Sequence, residues 1–182
     1  MRRSSLPALL LLLAAASALP QERMAQMEAS RLEETFSFTF RVGPAPEEEI
    51  LAALAQGMRS EVAFRVQLYR ESSGFWSIFG DRLVEEYETL HLAYFDPFTR
   101  SYIIAVRGDF TGSPHSYEDP EEFLAAFLSL RSTRLALPGG REGYRLRGRS
   151  IIEPVRVAPP LGLMGIFSPS ERYTTPWVSA EL

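Results

Sequence analysis

The chain contains no cysteine, no lysine and no asparagine among its 182 residues, so all 19 of its basic residues are arginine. Without cysteine there is no disulfide, no thiol nucleophile and no thiolate metal site. Without lysine there is no Schiff-base amine, no phosphate-loop lysine and no serine–lysine dyad. The composition therefore excludes several classes of enzyme chemistry, and it predicts a domain that is stabilised by its hydrophobic core alone.

The net charge is mildly acidic, −4 at neutral pH. Proteins that bind nucleic acid present a dense basic surface, so this chain is not expected to bind nucleic acid. Two histidines are present, His91 and His115, and neither belongs to a spacing that is typical of metal ligands. The sequence therefore predicts no metal site and no cofactor.

The N-terminus has the pattern of a cleavable secretion signal. Arg2 and Arg3 supply a positive head, Leu6 to Ala16 is apolar, and Ala16-Ser17-Ala18 has the small-x-small form of a cleavage site. An uncleaved anchor is one alternative, but the apolar stretch is shorter than the about 20 residues that span a bilayer. A buried N-terminal helix is another, which the order of these features disfavours. We expect cleavage after Ala18 and a periplasmic or otherwise exported protein without a transmembrane segment.

Residues 19–33 are polar and show no clear apolar stripe, so they are predicted to form a flexible leader. A single domain is expected over residues 34–182. Its first strand is indicated by Phe36, Phe38 and Phe40, which alternate with polar residues at the period of a half-buried strand.

A long hairpin is predicted next. Its first strand is expected to bury Val62, Phe64, Val66 and Leu68. The return strand, Arg82 to Phe95, is expected to bury Leu90, Leu92 and Tyr94. The alternation is disturbed near Tyr87 to Thr89, where we expect a bulge that resets the register.

Helices are predicted at two places. Glu47, Glu48 and Glu49 suit the first turn of a short helix near Pro46. Asp119-Pro120-Glu121-Glu122 indicates a second helix with Asp119 as its N-cap. Two short helices, at least six strands and no regular β–α alternation favour an antiparallel β-sandwich, Ig-like in its general architecture.

Several features follow one another in a fixed order. They are the aromatic loop around Trp76, the strand with Leu90, Leu92 and Tyr94, the Thr99-Arg100-Ser101-Tyr102 segment, the Glu-rich helix start within Tyr117 to Arg131, Gly143-Tyr144, and a final strand with Trp177. In this order they resemble the bacterial exported proteins grouped as domain of unknown function 4390. The resemblance covers Glu34 to Leu182, although the loop near Trp76 contains less tryptophan than is usual there. It implies an exported β-sandwich and supplies no catalytic residues.

The first candidate contact site is the connection between the two hairpin strands. It carries four large apolar side chains: Phe75, Trp76, Ile78 and Phe79. Such a loop either folds back over the core or presents an apolar surface to a partner protein or a membrane interface. The apolar segment Leu161 to Phe167 raises the same alternatives.

The second candidate is a row of arginines. Arg145, Arg147 and Arg149 alternate with Tyr144, Leu146 and Gly148, so all three are expected on one face of a strand. One interpretation is a site for an anion or an acidic partner. The other is cross-strand pairing with acidic residues such as Glu86 and Glu88.

The sequence contains no Gly-x-Ser-x-Gly elbow and no nucleophile next to either histidine. It therefore predicts no catalytic residues. The function that we expect is a non-catalytic binding or accessory module of the cell envelope, with an envelope protein as its partner. Two alternatives stay open: an uncharacterised hydrolase or carbohydrate-active enzyme, and a peripheral membrane or lipid-binding protein.

Overall fold

A computed structural model describes residues 25–72, 78, 80–132, 135–138, 143–156 and 172–182. These ranges contain the following strands: β1 (Ala25–Leu32), β2 (Thr35–Val42), β3 (Arg59–Arg70), β4 (Arg82–Asp96), β5 (Ser101–Gly108), β6 (His115–Tyr117), β7 (Ser129–Arg131), β8 (Leu135–Ala136), β9 (Tyr144–Arg156), β10 (Tyr173–Thr174) and β11 (Val178–Glu181). The helices are α1 (Glu47–Ala55) and α2 (Pro120–Phe127). None of the described helices is long and apolar enough to span a membrane.

The strands form two antiparallel sheets. The smaller sheet has the order β1-β2-β7, with β8 also paired to β2. The larger sheet has the order β10-β9-β3-β4-β5-β6, and β11 pairs with β9 beside β10. Strand β3 is central in the larger sheet because it pairs along most of its length with β4 on one side and β9 on the other.

The two sheets pack face to face over one hydrophobic core, which confirms the predicted sandwich. The four apolar residues of β3 that were expected inside, Val62, Phe64, Val66 and Leu68, are fully buried. The ring of Phe40 in β2 meets that of Phe64 edge-on, with centroids 5.8 Å apart. The smaller sheet contacts the larger one closely at Gly148, where an added Cβ would lie 3.0 Å from the Met27 Cε atom.

The predicted flexible leader is wrong for residues 25–32, which form β1. This strand pairs along its whole length with β2, from Ala25 opposite Val42 to Leu32 opposite Thr35. Ala25, Met27 and Ala29 face inward, while the residues between them are exposed. A period-two pattern is therefore present, but its apolar members are small or helix-favouring, so the pattern by itself does not indicate a strand.

The predicted register of β4 is also wrong. Thr89, His91 and Ala93 are buried, whereas Leu90 and Leu92 are half-buried on the outer face. Tyr94, predicted to be buried, is 39% exposed. The register shift lies between Leu68 and Tyr69 of β3 and not near Tyr87 to Thr89. The more apolar residues of β4 face outward here and the buried ones include Thr89 and His91, so alternation of hydrophobicity indicates the wrong face.

Helix α2 begins as predicted. The Asp119 carboxylate accepts hydrogen bonds from the backbone N–H groups of Glu121 and Glu122, at 3.3 and 3.2 Å. Phe123 and Phe127, one turn apart, are stacked and fully buried against the larger sheet. The helix thus closes the core at the β5–β6 side, away from the face of β9 that carries the arginines.

Candidate functional site

The three arginines of the candidate row lie together on the outer face of β9. The arginines alternate with buried residues and are themselves half-buried; the buried residues are Tyr144, Leu146, Gly148 and Ser150. Across the sheet, these arginines lie opposite Tyr69, Gln67 and Arg65 of β3, respectively. The row therefore occupies the solvent side of the larger sheet, and each arginine has a different set of neighbours.

Arg145 holds the base of the aromatic loop. Its guanidinium bonds the Glu71 carboxylate at 3.0 Å and the Asp81 carboxylate at 3.2 Å. These two acids stand on either side of the connection between β3 and β4. A hydrogen bond also connects the two ends of the loop, because the Ser72 hydroxyl donates to the Gly80 carbonyl at 2.8 Å. The charge of Arg145 is thus neutralised within the protein, and the two ends of the loop are held together.

Arg147 packs against aromatic rings. Its guanidinium carbon lies 5.7 Å from the ring centroid of Tyr69 and 5.4 Å from that of Trp177. The Tyr69 hydroxyl donates to the Gln67 side-chain carbonyl at 3.0 Å, and the Gln67 amide donates to Glu86 at 2.7 Å. This chain of hydrogen bonds fixes the Tyr69 ring, and the ring in turn restricts where Arg147 can lie.

Arg149 contacts the same tryptophan. Its guanidinium carbon lies 4.9 Å from the Trp177 ring centroid. Its Nε atom is buried and has no hydrogen-bond acceptor among the residues that the structure describes. We call Tyr69, Arg147, Trp177 and Arg149 the arginine ladder. The Arg147 guanidinium lies beside both aromatic rings, and the Arg149 guanidinium lies beside the ring of Trp177.

The acidic residues that were considered as partners of the row pair elsewhere. Glu86 and Glu88 both contact Arg65 of β3, at 3.3 and 3.1 Å. Within the described ranges, no ion pair is found for Arg147 or Arg149. Sequence reasoning missed Trp177 and Tyr69 as members of this site. Both are aromatic residues near strand ends, and their proximity to the arginines depends on pairing between distant segments.

Most of the aromatic loop falls outside the described residues, including Phe75, Trp76 and Phe79. Ile78 is described, and its side chain is 75% exposed. The segment Leu161 to Phe167 also lies outside the described residues. The structure therefore describes the two ends of the loop, at Glu71 and Asp81, and one exposed apolar side chain within it, that of Ile78.

His91 is a core residue. Its ring lies between Phe64 and Phe127, with centroids 4.9 and 6.5 Å away, and its Nδ1 atom is 3.1 Å from the Phe127 carbonyl oxygen. Because the carbonyl is an acceptor, Nδ1 carries the proton. Burial lowers the pKa of His91, which opposes formation of a charged ring in the core.

His115 is exposed on β6. Among the described residues, no group of three or more potential ligands is placed to hold a metal ion.

Among the residues that the structure describes, two clefts lie outside the arginine ladder. One cleft has a volume of about 320 Å³ and a mainly apolar lining, to which Glu49 and Tyr173 contribute polar groups. The other, of about 440 Å³, lies between the two helices and contains Arg41, Arg131, Glu47 and Glu121. Two cations and two carboxylates line this second cleft together, so it has no excess of charge that would select a ligand of one sign.

One protein-family model, described as domain of unknown function (DUF4390), matches residues 21–181. No curated protein and no solved structure shows significant similarity to the chain. The family match begins before β1, in agreement with the structure, which includes that strand in the smaller sheet.

Proposed function

The chain belongs to the DUF4390 family, and we propose that it is a non-catalytic binding module of the cell envelope. Its contact surface consists of the loop from Ser72 to Asp81 together with the arginine ladder. The main support for this proposal is the position of Arg145, which lies on β9 beside the arginine ladder and contacts both ends of the loop. The same strand face that presents Arg147 and Arg149 also holds both ends of the loop through Glu71 and Asp81.

The composition of this surface supports a contact role. Arginine, tyrosine and tryptophan are the residue types that contribute most to binding energy in protein interfaces. The ladder contains all three, in fixed positions on a sheet, so little conformational entropy is lost when a partner binds. Ile78 adds an apolar side chain that is 75% exposed, and burial of such a side chain by a partner is favourable.

Export is part of this proposal, and the signal pattern of residues 1–18 supports it. We expect mass spectrometry of the protein from cell envelopes to find a mature N-terminus at Leu19. An N-terminus at Met1 in the folded cellular protein would contradict cleavage. Substitution of Arg2 and Arg3 together with a charged residue in the apolar stretch should leave the chain in the cytoplasm.

A photo-crosslinking residue at position 78 in living cells tests the contact surface directly. Phe98 is the matched control because it is also an exposed apolar residue, 96% accessible, in the turn at the far end of β4. The fifteen residues of β4 separate the two positions by roughly 45 Å. Recovery of one envelope protein from position 78 and not from position 98 supports the proposal. Equal background at both positions contradicts it.

The exposure of Ile78 also favours a second function, attachment to a membrane surface. Apolar side chains on exposed loops are typical of proteins that enter the lipid interface. In this case the purified protein sediments with vesicles of phosphatidylethanolamine and phosphatidylglycerol, and Ile78→Ser reduces the bound fraction while Phe98→Ser does not. Absence of sedimentation at physiological salt rejects the membrane function.

A further inference from the structure

We propose that Arg147 and Arg149 bind carboxylates of an extended acidic segment of a partner protein. This inference deepens the proposed binding function and rests on it, because it names the chemistry of the partner at the same surface.

Four arginines lie close together on this face, and two of them are already paired. Arg65 contacts Glu86 and Glu88, and Arg145 contacts Glu71 and Asp81. Within the part of the chain that the structure describes, Arg147 and Arg149 have aromatic contacts and no carboxylate partner. These four carboxylates balance the four arginines in number, but each of them contacts Arg65 or Arg145, so among the described residues the positive charges of Arg147 and Arg149 are not neutralised by direct contact. An anionic partner is attracted to this position by charge complementarity.

The ladder leaves hydrogen-bond donors available. A guanidinium that packs on an aromatic ring uses its face, while its N–H groups point outward in its own plane. The Nε atom of Arg149 is buried and has no acceptor among the described residues. A ligand at the surface cannot reach this buried atom, so it would bond the terminal Nη groups of the two guanidiniums. Carboxylates match the planar arrangement of guanidinium donors with two parallel hydrogen bonds.

The spacing favours an extended peptide with repeated carboxylates over a single phosphate. Arg147 and Arg149 are two residues apart on one strand face, which separates their Cα atoms by about 6.6 Å. Acidic residues at alternate positions of an extended peptide repeat with the same period. The protein itself contains such an arrangement, since Arg65 contacts Glu86 and Glu88, which alternate along β4.

Fluorescence anisotropy with the purified protein tests the proposal. The probe is a fluorescein-labelled peptide of alternating glutamate and serine, and the matched peptide replaces each glutamate with glutamine. We expect the acidic peptide to bind and the neutral peptide to bind at least about tenfold more weakly, because charge-assisted hydrogen bonds are the strong ones. The affinity should fall as salt increases. No binding of the acidic peptide at low salt overturns the proposal.

The position of the site is tested with charge-matched variants. R147Q/R149Q removes two charges from the ladder, and R41Q/R131Q removes two charges from exposed arginines of the smaller sheet. We expect the first variant to weaken binding at least about tenfold and the second to leave it within about twofold. Equal weakening by both variants indicates non-specific attraction and overturns the proposal. Circular dichroism establishes that both variants are folded.

Arg149→Lys provides a second test if R147Q/R149Q is unstable. It keeps the charge and removes the planar donor arrangement, so binding should weaken by an intermediate amount. Full retention of affinity would contradict recognition by the guanidinium. Inorganic phosphate is added as a competitor, and displacement of the peptide by submillimolar phosphate would assign the site to phosphate groups instead. Successful crosslinking at Ile78 without peptide binding rejects the acidic partner and leaves the proposed binding function in place.

Discussion

The guanidinium carbon of Arg149 lies 4.9 Å from the centroid of the Trp177 ring, and both side chains are half-buried on the outer face of the larger sheet. This contact joins β9 to the segment just before β11. It also explains how an arginine whose Nε lacks an acceptor in the described part of the chain is held in place. Dispersion and cation–π attraction to the indole stabilise a side chain that no carboxylate neutralises there.

Trp177→Leu should destabilise the protein by about 1–2 kcal/mol, because the indole contacts both Arg147 and Arg149. Urea unfolding measures the change. Phe98→Leu is the control, since Phe98 is 96% exposed and its substitution should change the free energy of unfolding by less than about 0.5 kcal/mol. A double-mutant cycle with Arg149→Met should give a coupling energy of about 0.5–2 kcal/mol. Additive effects would show that the contact contributes nothing.

Arg145→Met should loosen the loop base with little effect on global stability. Its ion pairs with Glu71 and Asp81 are partly exposed, with side-chain accessibilities of 39%, 41% and 30%, so their loss costs about 0–1 kcal/mol. Limited proteolysis with chymotrypsin should nevertheless cleave faster between residues 73 and 79. Arg172→Met, which removes a different ion pair, with Glu153, should leave that cleavage rate unchanged. A rate that Arg145→Met does not alter would mean that Arg145 does not restrain the loop.

Gly148→Ala should destabilise the protein by about 1 kcal/mol. Its new methyl group would lie 3.0 Å from Met27 Cε and 3.3 Å from the Phe40 ring, so the core would be overpacked. The penalty should decrease when Met27→Ala is also present. Gly112→Ala is the control, because no atom lies within 4 Å of its added Cβ. Thermal unfolding of Gly148→Ala, Met27→Ala, their double variant and Gly112→Ala distinguishes overpacking from a general intolerance of substitution at Gly148.

Stability should decrease as the pH falls below about 6.5. The folded pKa of His91 is lowered by burial, whereas in the unfolded chain the side chain titrates near 6.5. The unfolded state therefore takes up the proton first, and the free energy of unfolding falls by up to about 1.4 kcal/mol per pH unit until the folded pKa is reached. The contribution of neutral His91 to the free energy of unfolding is fully present above pH 6.5.

His91→Leu should flatten this dependence between pH 6.5 and 5, where ordinary carboxylates contribute little. His115→Gln should retain it, because His115 is exposed on β6. Unfolding by urea at a series of pH values provides the measurement. An unchanged slope in His91→Leu would mean that another group causes the acid sensitivity.

Local patterns predicted several elements correctly. The alternation of Val62, Phe64, Val66 and Leu68 identified both the strand and its buried face, because every second residue is strongly apolar and the others are polar. The Asp119 cap was equally clear, since the capping hydrogen bonds involve residues that are adjacent in sequence. The alternation of the three arginines also places them on one strand face, where the structure has them.

The predictions are wrong where the local pattern is weak or where the more apolar face of a strand points outward. Residues 25–32 have only alanine and methionine as inward-facing apolar residues, so their sequence does not predict the pairing with β2. On β4, the apolar Leu90 and Leu92 point outward while His91 is buried. In both cases the neighbouring strand decided the outcome, because burial depends on which residues a strand packs against and not only on its own sequence.

The sequence by itself determined the mainly β architecture, the start of α2, the absence of cysteine and lysine chemistry, and the family. These follow from composition and from interactions between residues close together along the chain. The tertiary structure alone decided the role of each arginine. Arg145 meets Glu71 and Asp81 across more than sixty residues of chain, and Arg149 meets Trp177 because the segment ending in β11 returns beside β9. Such contacts arise from the order in which strands pair, which no short-range pattern specifies.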